Sequence, residues 1–200
     1  MYCFCALSLT AWLAVASGTP DVSALELTTK ERQLVLDLAE RALKAKGLAK
    51  GKLVLTNLEV LRDARDAESP RNALVIHYRY EGNLAILTSV NIGRRKVTKI
   101  ETEAHLPTSL APEELARALE LAHTSAEVRK ALSRHGPPEK FEVDALMSHT
   151  ADESSPIYQH RALRLFFRQG RTYLLYGPVV EVDLTTETVR VYAGGDERHK

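Results

Sequence analysis

Apolar and polar residues follow one arrangement in the first half of the chain. Apolar residues recur at helical spacing over 34–43 and form a single stripe. Thr28 and Glu31 have the spacing of a capping box, and Gly47 is placed to end the helix in a left-handed conformation. The first half therefore predicts one helix followed by four antiparallel strands. The strand patterns cover 53–62, 72–80, 84–92 and 97–102.

The second half repeats that order. Pro112 suits the first turn of a helix, and a second capping box from Thr124 to Glu127 opens a short helix that ends at 136–138. A polar stretch over 148–156 predicts a loop. Strand patterns cover 141–145, 161–168, 172–184 and 188–192, and the third is broken at Gly177 and Pro178.

Helices that precede runs of antiparallel strands favour an α+β fold. We expect two tandem domains, over 25–106 and 107–194, each with a helix packed on a four-stranded antiparallel sheet. A polar tail follows at 195–200. The alternation predicts a first core of Leu34, Leu38, Leu74, Ile76 and Ile86, and a second core of Leu115, Leu119, Phe141, Leu163 and Leu165.

The first segment, 1–24, has the pattern of a secretory signal peptide. Residues 3–16 are almost wholly apolar, but the run is too short to span a bilayer. Small residues at 14–16 and 22–24 suit a signal peptidase, although no basic residue precedes the apolar run. We therefore expect a secreted or periplasmic protein without a membrane span. The alternative is an N-terminal extension or a misassigned start.

Composition excludes several classes of protein. The 200 residues include 27 Lys and Arg against 26 Asp and Glu, a net charge of +1, which argues against a nucleic-acid partner. The only two cysteines, Cys3 and Cys5, lie in the predicted signal segment. A disulfide framework, a thiolate zinc site and a cysteine nucleophile are therefore excluded for the mature chain.

Local motifs give no catalytic residue, metal ligand or cofactor site. The seven histidines show no His-x-His or His-Glu-x-x-His spacing, and His77 alternates with apolar residues as a surface or packing histidine does. The segment from Gly47 to Lys52 lacks the spacing and the Ser or Thr of a phosphate loop, so it predicts a helix stop.

One cluster of charge is a candidate site. Arg161, Arg164, Arg168 and Arg171 could bind an anion or a protein partner. The alternative is a solvated sheet face, on which Glu181, Asp183 and Glu187 of neighbouring strands balance the arginines.

Taken together, the segments of the second half resemble the third N-terminal domain of copper amine oxidases. These segments are 110–114, 128–132, 134–136, 161–167, 176–179, 182–184 and 189–191. The first half, including the short strand at 97–101, resembles the second N-terminal domain of the same enzymes. The resemblance covers 27–192 and implies two cystatin-like domains.

In that family, copper and a topaquinone cofactor lie in a large C-terminal domain that this resemblance does not reach. Neither the cofactor motif Thr-x-x-Asn-Tyr-Asp/Glu nor a His-x-His copper pair occurs in the sequence. The resemblance therefore implies a non-catalytic, exported binding or interaction module, not an enzyme, with an unknown protein partner. An amine oxidase catalytic subunit is one hypothesis for that partner.

Three alternatives stay open. The first hypothesis is an accessory subunit of a split amine oxidase. The second is an unrecognised enzyme with a site between the two domains, and the third is a protease inhibitor of the cystatin type. The last lacks the Gln-x-Val-x-Gly wedge of that family. A pocket lined by convergent His, Asp or Glu would favour the unrecognised enzyme.

Overall fold

The computed structural model describes residues 26–61, 71–174 and 177–192. The predicted signal segment, the polar tail, the predicted strand end at Arg62 and the motif residue Tyr176 lie outside these residues. Among the described helices, none combines the length and the apolar character that crossing a bilayer requires.

The α+β class predicted from the sequence is confirmed. The described residues form three α-helices and two antiparallel sheets. The first half contains α1 (Thr29–Ala45), β1 (Leu53–Leu61), β2 (Asn72–Arg79), β3 (Leu84–Asn91) and β4 (Lys96–Ala104). The second half contains α2 (Pro112–Thr124), α3 (Ala126–Leu132), β5 (Glu142–Ser148), β6 (Ala162–Gln169), β7 (Thr172–Tyr173), β8 (Val179–Asp183) and β9 (Thr188–Tyr192).

Helix α1 begins and ends where its local chemistry predicts. The Thr28 N–H donates to the Glu31 carboxylate at 2.9 Å, and the Glu31 N–H donates to the Thr28 hydroxyl at 3.3 Å, which completes the capping box. At the other end Gly47 has a φ of +68°. The Leu48 N–H then reaches back to the Leu43 carbonyl at 2.9 Å, the bond that closes a Schellman motif.

The first sheet has strand order β1-β2-β3-β4, and α1 covers one of its faces. Ala73 and Val75 of β2 are fully buried there, with Val35 and Ala39 of α1. The predicted first core was wrong about this face, because Leu74 and Ile76 alternate with Ala73 and Val75 and lie on the opposite side of β2. Of the five predicted residues, Leu38 packs against the observed core, and Ile86 of β3 is fully buried on the same side of the sheet, opposite His77.

The caps of the second half differ in detail from the prediction. Ser125, not Thr124, is the N-cap of α3, and its hydroxyl accepts from the Val128 N–H at 3.4 Å. Thr124 is the last residue of α2, where its hydroxyl donates to the carbonyls of Glu120 and Leu121. Each of the two adjacent hydroxyls therefore serves a different helix.

The second sheet has five strands among the described residues, in the order β5-β6-β8-β9 with β7 on β6. The sequence predicts four strands, because the pattern over 172–184 indicates one strand that is broken at Gly177 and Pro178. The chain pairs twice with β6 instead, first through Thr172 and Tyr173 and then from Val180 to Asp183. The predicted break therefore separates two strands of the same sheet.

The second core extends across the junction into the first half. It contains the predicted residues Phe141, Leu163 and Leu165, and Leu119 packs against it. It also contains Val54, Tyr78 and Tyr80 from the first half. The face of β2 that points away from α1 is therefore covered at one end by the second half. This coverage places Tyr78 and Tyr80 at the candidate site described below.

The surroundings of His77 predict that the first sheet is sensitive to acid. It lies on the α1-facing side of β2, beside Val75 and opposite Ile86, and its Nδ1 is buried without a hydrogen-bond partner. Burial lowers the pKa of His77, and the nearby Glu40 opposes that shift. A depressed histidine pKa means that the unfolded chain takes up the proton first, so stability falls as the pH drops below about 6.5.

We therefore predict that the free energy of unfolding in urea decreases between pH 7 and pH 5.5, and that His77→Leu flattens this decrease. His135→Leu is the matched control, because His135 is an exposed turn residue. The same acid-induced loss in the wild type and in His77→Leu would show that His77 is not responsible.

Candidate functional site

A buried ion pair lies where the two halves meet. The Arg161 guanidinium donates from Nε to Glu114 Oε1 at 2.9 Å and from Nη2 to Glu114 Oε2 at 2.6 Å. Both side chains are only 2% exposed. Glu114 is in the first turn of α2, and Arg161 directly precedes β6, so the pair joins a helix to the sheet beneath it. This two-point geometry is the strongest arrangement available to an arginine and a carboxylate.

The remaining guanidinium hydrogens bind the connection between the halves. Arg161 Nη1 donates to the carbonyl and to the hydroxyl of Thr108, at 3.1 and 2.8 Å. Its Nη2 also donates to the Ser109 carbonyl at 2.6 Å. The segment that leads from β4 into α2 is therefore fixed by the same side chain that binds Glu114.

Two tyrosines bring the first half into this network. The Tyr80 hydroxyl donates to Glu114 Oε1 at 2.7 Å, and the Arg161 Cζ lies 4.6 Å from the centroid of the Tyr78 ring. The two rings meet edge to face with centroids 5.1 Å apart. We call Tyr78, Tyr80, Glu114 and Arg161 the junction cluster.

The electrostatics of the junction cluster follow from burial and from these bonds. Burial acts to raise the pKa of Glu114, but the hydrogen bonds from Arg161 and from the Ala111 N–H outweigh it and hold that pKa below its usual value. Burial raises the pKa of Tyr78 to about 12. Burial also raises the pKa of Tyr80, and its bond to Glu114 adds to the shift. Glu114 is therefore ionised at neutral pH and both phenols are protonated.

A cavity of about 290 Å³ opens beside the junction cluster. Asn83 holds its rim together: its Oδ1 accepts from the Tyr78 hydroxyl at 2.8 Å, and its Nδ2 donates to the Gln159 carbonyl at 2.7 Å. The same Nδ2 lies 3.0 Å from His105 Nδ1. Asn83, His105 and Gln159 all have positive φ, of 48°, 62° and 58°. Non-glycine residues rarely adopt this conformation, so the surrounding contacts must hold the three rim residues in it.

His160 lines this cavity, which we call the junction pocket, and is paired with the buried Asp183. His160 Nδ1 lies 2.7 Å from Asp183 Oδ2, and the Asp183 side chain is completely buried. Burial acts to raise the pKa of Asp183, but His160 and the backbone N–H groups of Thr185 and Thr186 together hold it below its usual value. An ionised carboxylate only accepts hydrogen bonds, so His160 donates from Nδ1 and its Nε2 is left for a ligand.

The junction pocket brings together residues that are far apart in the sequence. His105, His149 and His160 line it, with apolar surface from Leu106, Pro107 and Ile157. Within the ranges that the structure describes, no three His, Cys, Asp or Glu side chains are grouped closely enough to hold a metal ion. The imidazoles that line the pocket can form hydrogen bonds and transfer protons.

The structure separates the four arginines of the predicted cluster. Arg161 shares strand parity with the buried Leu163 and Leu165, and its side chain is buried with Glu114. Arg164 and Arg168 lie on the other face of β6. Arg171 is exposed in the turn after β6.

The two arginines on that face of β6 have carboxylate partners. Arg164 Nε is 3.6 Å from Glu181, one of the balancing carboxylates predicted from the sequence. Arg168 pairs with Glu142 at 2.5 Å and Asp144 at 3.0 Å. Anion or partner binding by the arginines stays a prediction.

Sequence reasoning missed the residues that build the site, namely Tyr80, Asn83, Glu114 and Asp183 as a partner of histidine. The burial of Arg161 had one signal in the sequence: its odd residue number places it on the same face as the apolar Leu163 and Leu165 of β6. A buried arginine needs a carboxylate. No signal in the sequence identifies Glu114 as that carboxylate, since 47 positions separate the two residues.

We predict that Arg161→Met lowers the free energy of unfolding by about 3–5 kcal/mol, because Glu114 keeps its charge in a buried position without a cation. The matched control is Arg168→Met, which breaks two solvent-accessible ion pairs and costs about 1 kcal/mol or less. Urea denaturation measures both. The double variant Arg161→Met, Glu114→Leu recovers part of the loss, since no charge is left unpaired. Equal losses for Arg161→Met and Arg168→Met would contradict the role given to the buried pair.

Comparison with known proteins shows the fold and no more. No protein-family model and no curated protein matches this chain. Among solved structures, a copper-containing benzylamine oxidase from Hansenula polymorpha is similar over 84% of this chain, with 15% identity and a TM-score of 0.59. PPLO, solved at 1.23 Å, matches the same share of the chain with 15% identity, but its TM-score of 0.42 supports no argument.

The chain spans 29% of the length of the benzylamine oxidase that it matches. The resemblance to copper amine oxidases that the sequence predicts is thus supported at the level of the fold.

Proposed function

We propose that this chain is a non-catalytic, exported binding module whose two halves correspond to the cystatin-like second and third N-terminal domains of copper amine oxidases. The junction pocket is its binding site. The fold shared with a benzylamine oxidase over 84% of the chain supports the correspondence. The division into domains at 25–106 and 107–194 belongs to the same proposal, as does export by the segment 1–24.

One observation carries the non-catalytic assignment: the strongest charged groups of the junction are used up in holding it together. Glu114 accepts from Arg161, Tyr80 and the Ala111 N–H. Arg161 directs all three of its nitrogens at protein acceptors. Neither residue retains a free donor or acceptor for a substrate, so the junction cluster positions the pocket and does no chemistry in it.

The pocket supports a binding role because some of its groups keep unused capacity. His160 has Nδ1 occupied by Asp183 and Nε2 open. Since Asn83 must donate to the Gln159 carbonyl, its Nδ2 also donates to His105 Nδ1, which leaves the proton of neutral His105 on Nε2. His160 thus offers an acceptor at Nε2 and His105 a donor at Nε2. Both lie in a pocket that Leu106, Pro107 and Ile157 also line.

A second candidate function is an unrecognised enzyme with its site between the two halves. The Asp183–His160 pair favours it, because a buried carboxylate that orients an imidazole is the arrangement of a general base. Among the described residues, however, no hydroxyl is hydrogen-bonded to His160 Nε2. The pair therefore has an oriented base without an adjacent nucleophile.

We predict that the purified mature protein, incubated with Cu²⁺ in air and then dialysed, contains no stoichiometric copper and develops no quinone absorbance. It should release no hydrogen peroxide from benzylamine, whereas a copper-containing benzylamine oxidase assayed in parallel does. The physical reason is the lack of a three-ligand group in the described residues, since copper sites need several imidazole or thiolate ligands.

Two results would contradict the proposed function. One copper ion per chain, lost in His77→Gln or His160→Gln, would indicate a metal-dependent activity. Hydrolysis of p-nitrophenyl acetate that His160→Gln abolishes and His123→Gln preserves would support the unrecognised enzyme.

A further inference from the structure

We infer that the outer face of the second sheet binds the same face of a second copy of this chain and forms a two-fold symmetric dimer. The outer face is the side of β5, β6, β8 and β9 that points away from α2, α3 and the second core. None of the side chains that form this face lines the junction pocket, so the inference goes beyond the proposed function.

The outer face carries most of the exposed large apolar side chains of the described residues. There are four of them, and three lie here: Leu146 of β5, Tyr173 of β7 and Tyr192 of β9 are 62, 55 and 42% exposed. Each tyrosine is held by its hydroxyl, which donates to Asp144 at 2.7 Å from Tyr173 and to Glu181 at 3.0 Å from Tyr192. Fixed aromatic rings beside arginines are typical of protein–protein interfaces.

Strand pairing arranges the side chains of the outer face in three rows across the sheet. From β5 toward the opposite edge, the rows are Leu146, Arg164, Glu181 and Arg190; Asp144, Phe166, Val179 and Tyr192; and Glu142, Arg168 and Tyr173. Neighbouring strands are about 4.8 Å apart, and alternate residues of one strand are about 6.8 Å apart. The rows therefore span roughly 14 Å both across the strands and along them.

One corner of the outer face has an excess of positive charge. Arg164 Nε and Arg190 Nη1 each lie 3.6 Å from a different oxygen of Glu181, so two guanidinium groups share one carboxylate. Neither distance is that of a hydrogen bond. The Glu181 side chain is only 3% exposed, whereas those of Arg164 and Arg190 are 45 and 31% exposed. This basic corner can therefore receive one further carboxylate from outside.

The opposite corner has an excess of negative charge. Glu142 and Asp144 share the single guanidinium of Arg168, at 2.5 and 3.0 Å. Their side chains are 55 and 42% exposed. Arg171 lies beyond the third row, in the turn after β6. This acidic corner thus offers the carboxylates that the basic corner lacks.

A two-fold axis in the plane of the face brings each corner onto the other. Because the rows span equal distances along and across the strands, an axis along the diagonal through Leu146 exchanges the two corners. Glu142 of one copy then meets Arg190 of the other, and Asp144 meets Arg164. Leu146 lies on the axis and faces its own counterpart. The strands of the two copies cross at about 90°, one of the two usual angles between packed sheets.

The centre and the size of the face determine the expected affinity. Phe166 and Val179 lie in the middle row and are partly exposed, so charged corners surround an apolar centre. With its side chains, a face of this span offers on the order of 400 Å², about half of what each partner contributes to a standard interface. We therefore expect a weak dimer, with a dissociation constant of about 10–500 μM.

The first test is sedimentation equilibrium of the full mature protein at concentrations up to about 1 mM, which covers the expected range of dissociation constants. We expect a monomer–dimer equilibrium in a buffer of low salt. In about 0.5 M NaCl the Debye length falls to about 4 Å, so the dissociation constant should rise at least about threefold.

Charge reversal tests the pairing of the corners. Arg190→Glu and Glu142→Arg each place like charges opposite one another in the dimer, so each should raise the dissociation constant at least about tenfold. An equimolar mixture of the two variants should return to within about threefold of the wild type, because each reversed side chain then meets its opposite. Arg94→Glu is the matched control, since Arg94 is exposed in the turn between β3 and β4. Circular dichroism shows whether each variant is folded.

A crosslink tests the position of the axis without changing any charge, and it stays informative if Arg190→Glu does not fold. Facing sheets lie about 10 Å apart, so a bis-maleimide of about that length should join two copies of Leu146→Cys. The background is Cys3→Ser, Cys5→Ser. Leu61→Cys is the matched control, because Leu61 is 41% exposed on β1 of the other sheet, and it should crosslink at least about tenfold more slowly.

Several results would overturn the inference. They are a wild type that stays monomeric at about 1 mM, wild-type dimerisation in a folded Arg190→Glu variant, no recovery in the mixture of folded variants, or equal crosslinking of Leu146→Cys and Leu61→Cys. A monomeric wild type would leave the outer face to a partner of another sequence. None of these results bears on the junction pocket, so failure of the inference is distinguishable from failure of the proposed function.

Discussion

Burying the guanidinium of Arg161 beside the carboxylate of Glu114 is the constraint on which the junction depends. Each charge alone would be strongly unfavourable in a dry environment, so both must stay paired and fully hydrogen-bonded. That requirement fixes the Thr108 and Ser109 carbonyls, which the guanidinium also binds. It also brings the Tyr80 hydroxyl from the first half to the same carboxylate. A buried pair contributes little net stability, but it strongly restricts the geometry of whatever must satisfy it.

The sequence predicted most elements because their ends are determined by local chemistry. Thr28 and Glu31 cap α1 through contacts three residues apart, and Gly47 ends it by taking a conformation that side chains disfavour. Such signals need no knowledge of the rest of the fold. The extra strand β7 lacks one, since it is two residues long and is defined by its pairing with β6.

The face of the first sheet could not be predicted in this way, and β2 shows why. Val75 faces α1, while Ile76 and Tyr78 face the opposite side, and both sides carry apolar residues. Alternation identifies the core face only when the other face is polar. Because the second half covers Tyr78, β2 is apolar on both sides and the periodicity cannot indicate which side the helix covers. The same tertiary contact hides the candidate site from sequence reasoning, since Glu114 meets Arg161 and Asp183 meets His160 only in the folded chain.

The junction pocket also depends on how the halves meet, because its rim consists of turns from both of them. Asn83 belongs to the turn after β2, and its side chain donates to the carbonyl of Gln159 in the second half. Its own carbonyl accepts from the His105 N–H at 2.8 Å, so one residue connects three turns. Left-handed backbone at these non-glycine positions costs free energy, and such costs persist only where surrounding contacts hold them. The buried pair holds the halves together and Asn83 aligns their turns, so the spacing between His105 and His160 depends on both. Any ligand that contacts both imidazoles would therefore bind best to the docked arrangement, and by linkage its binding would stabilise that arrangement.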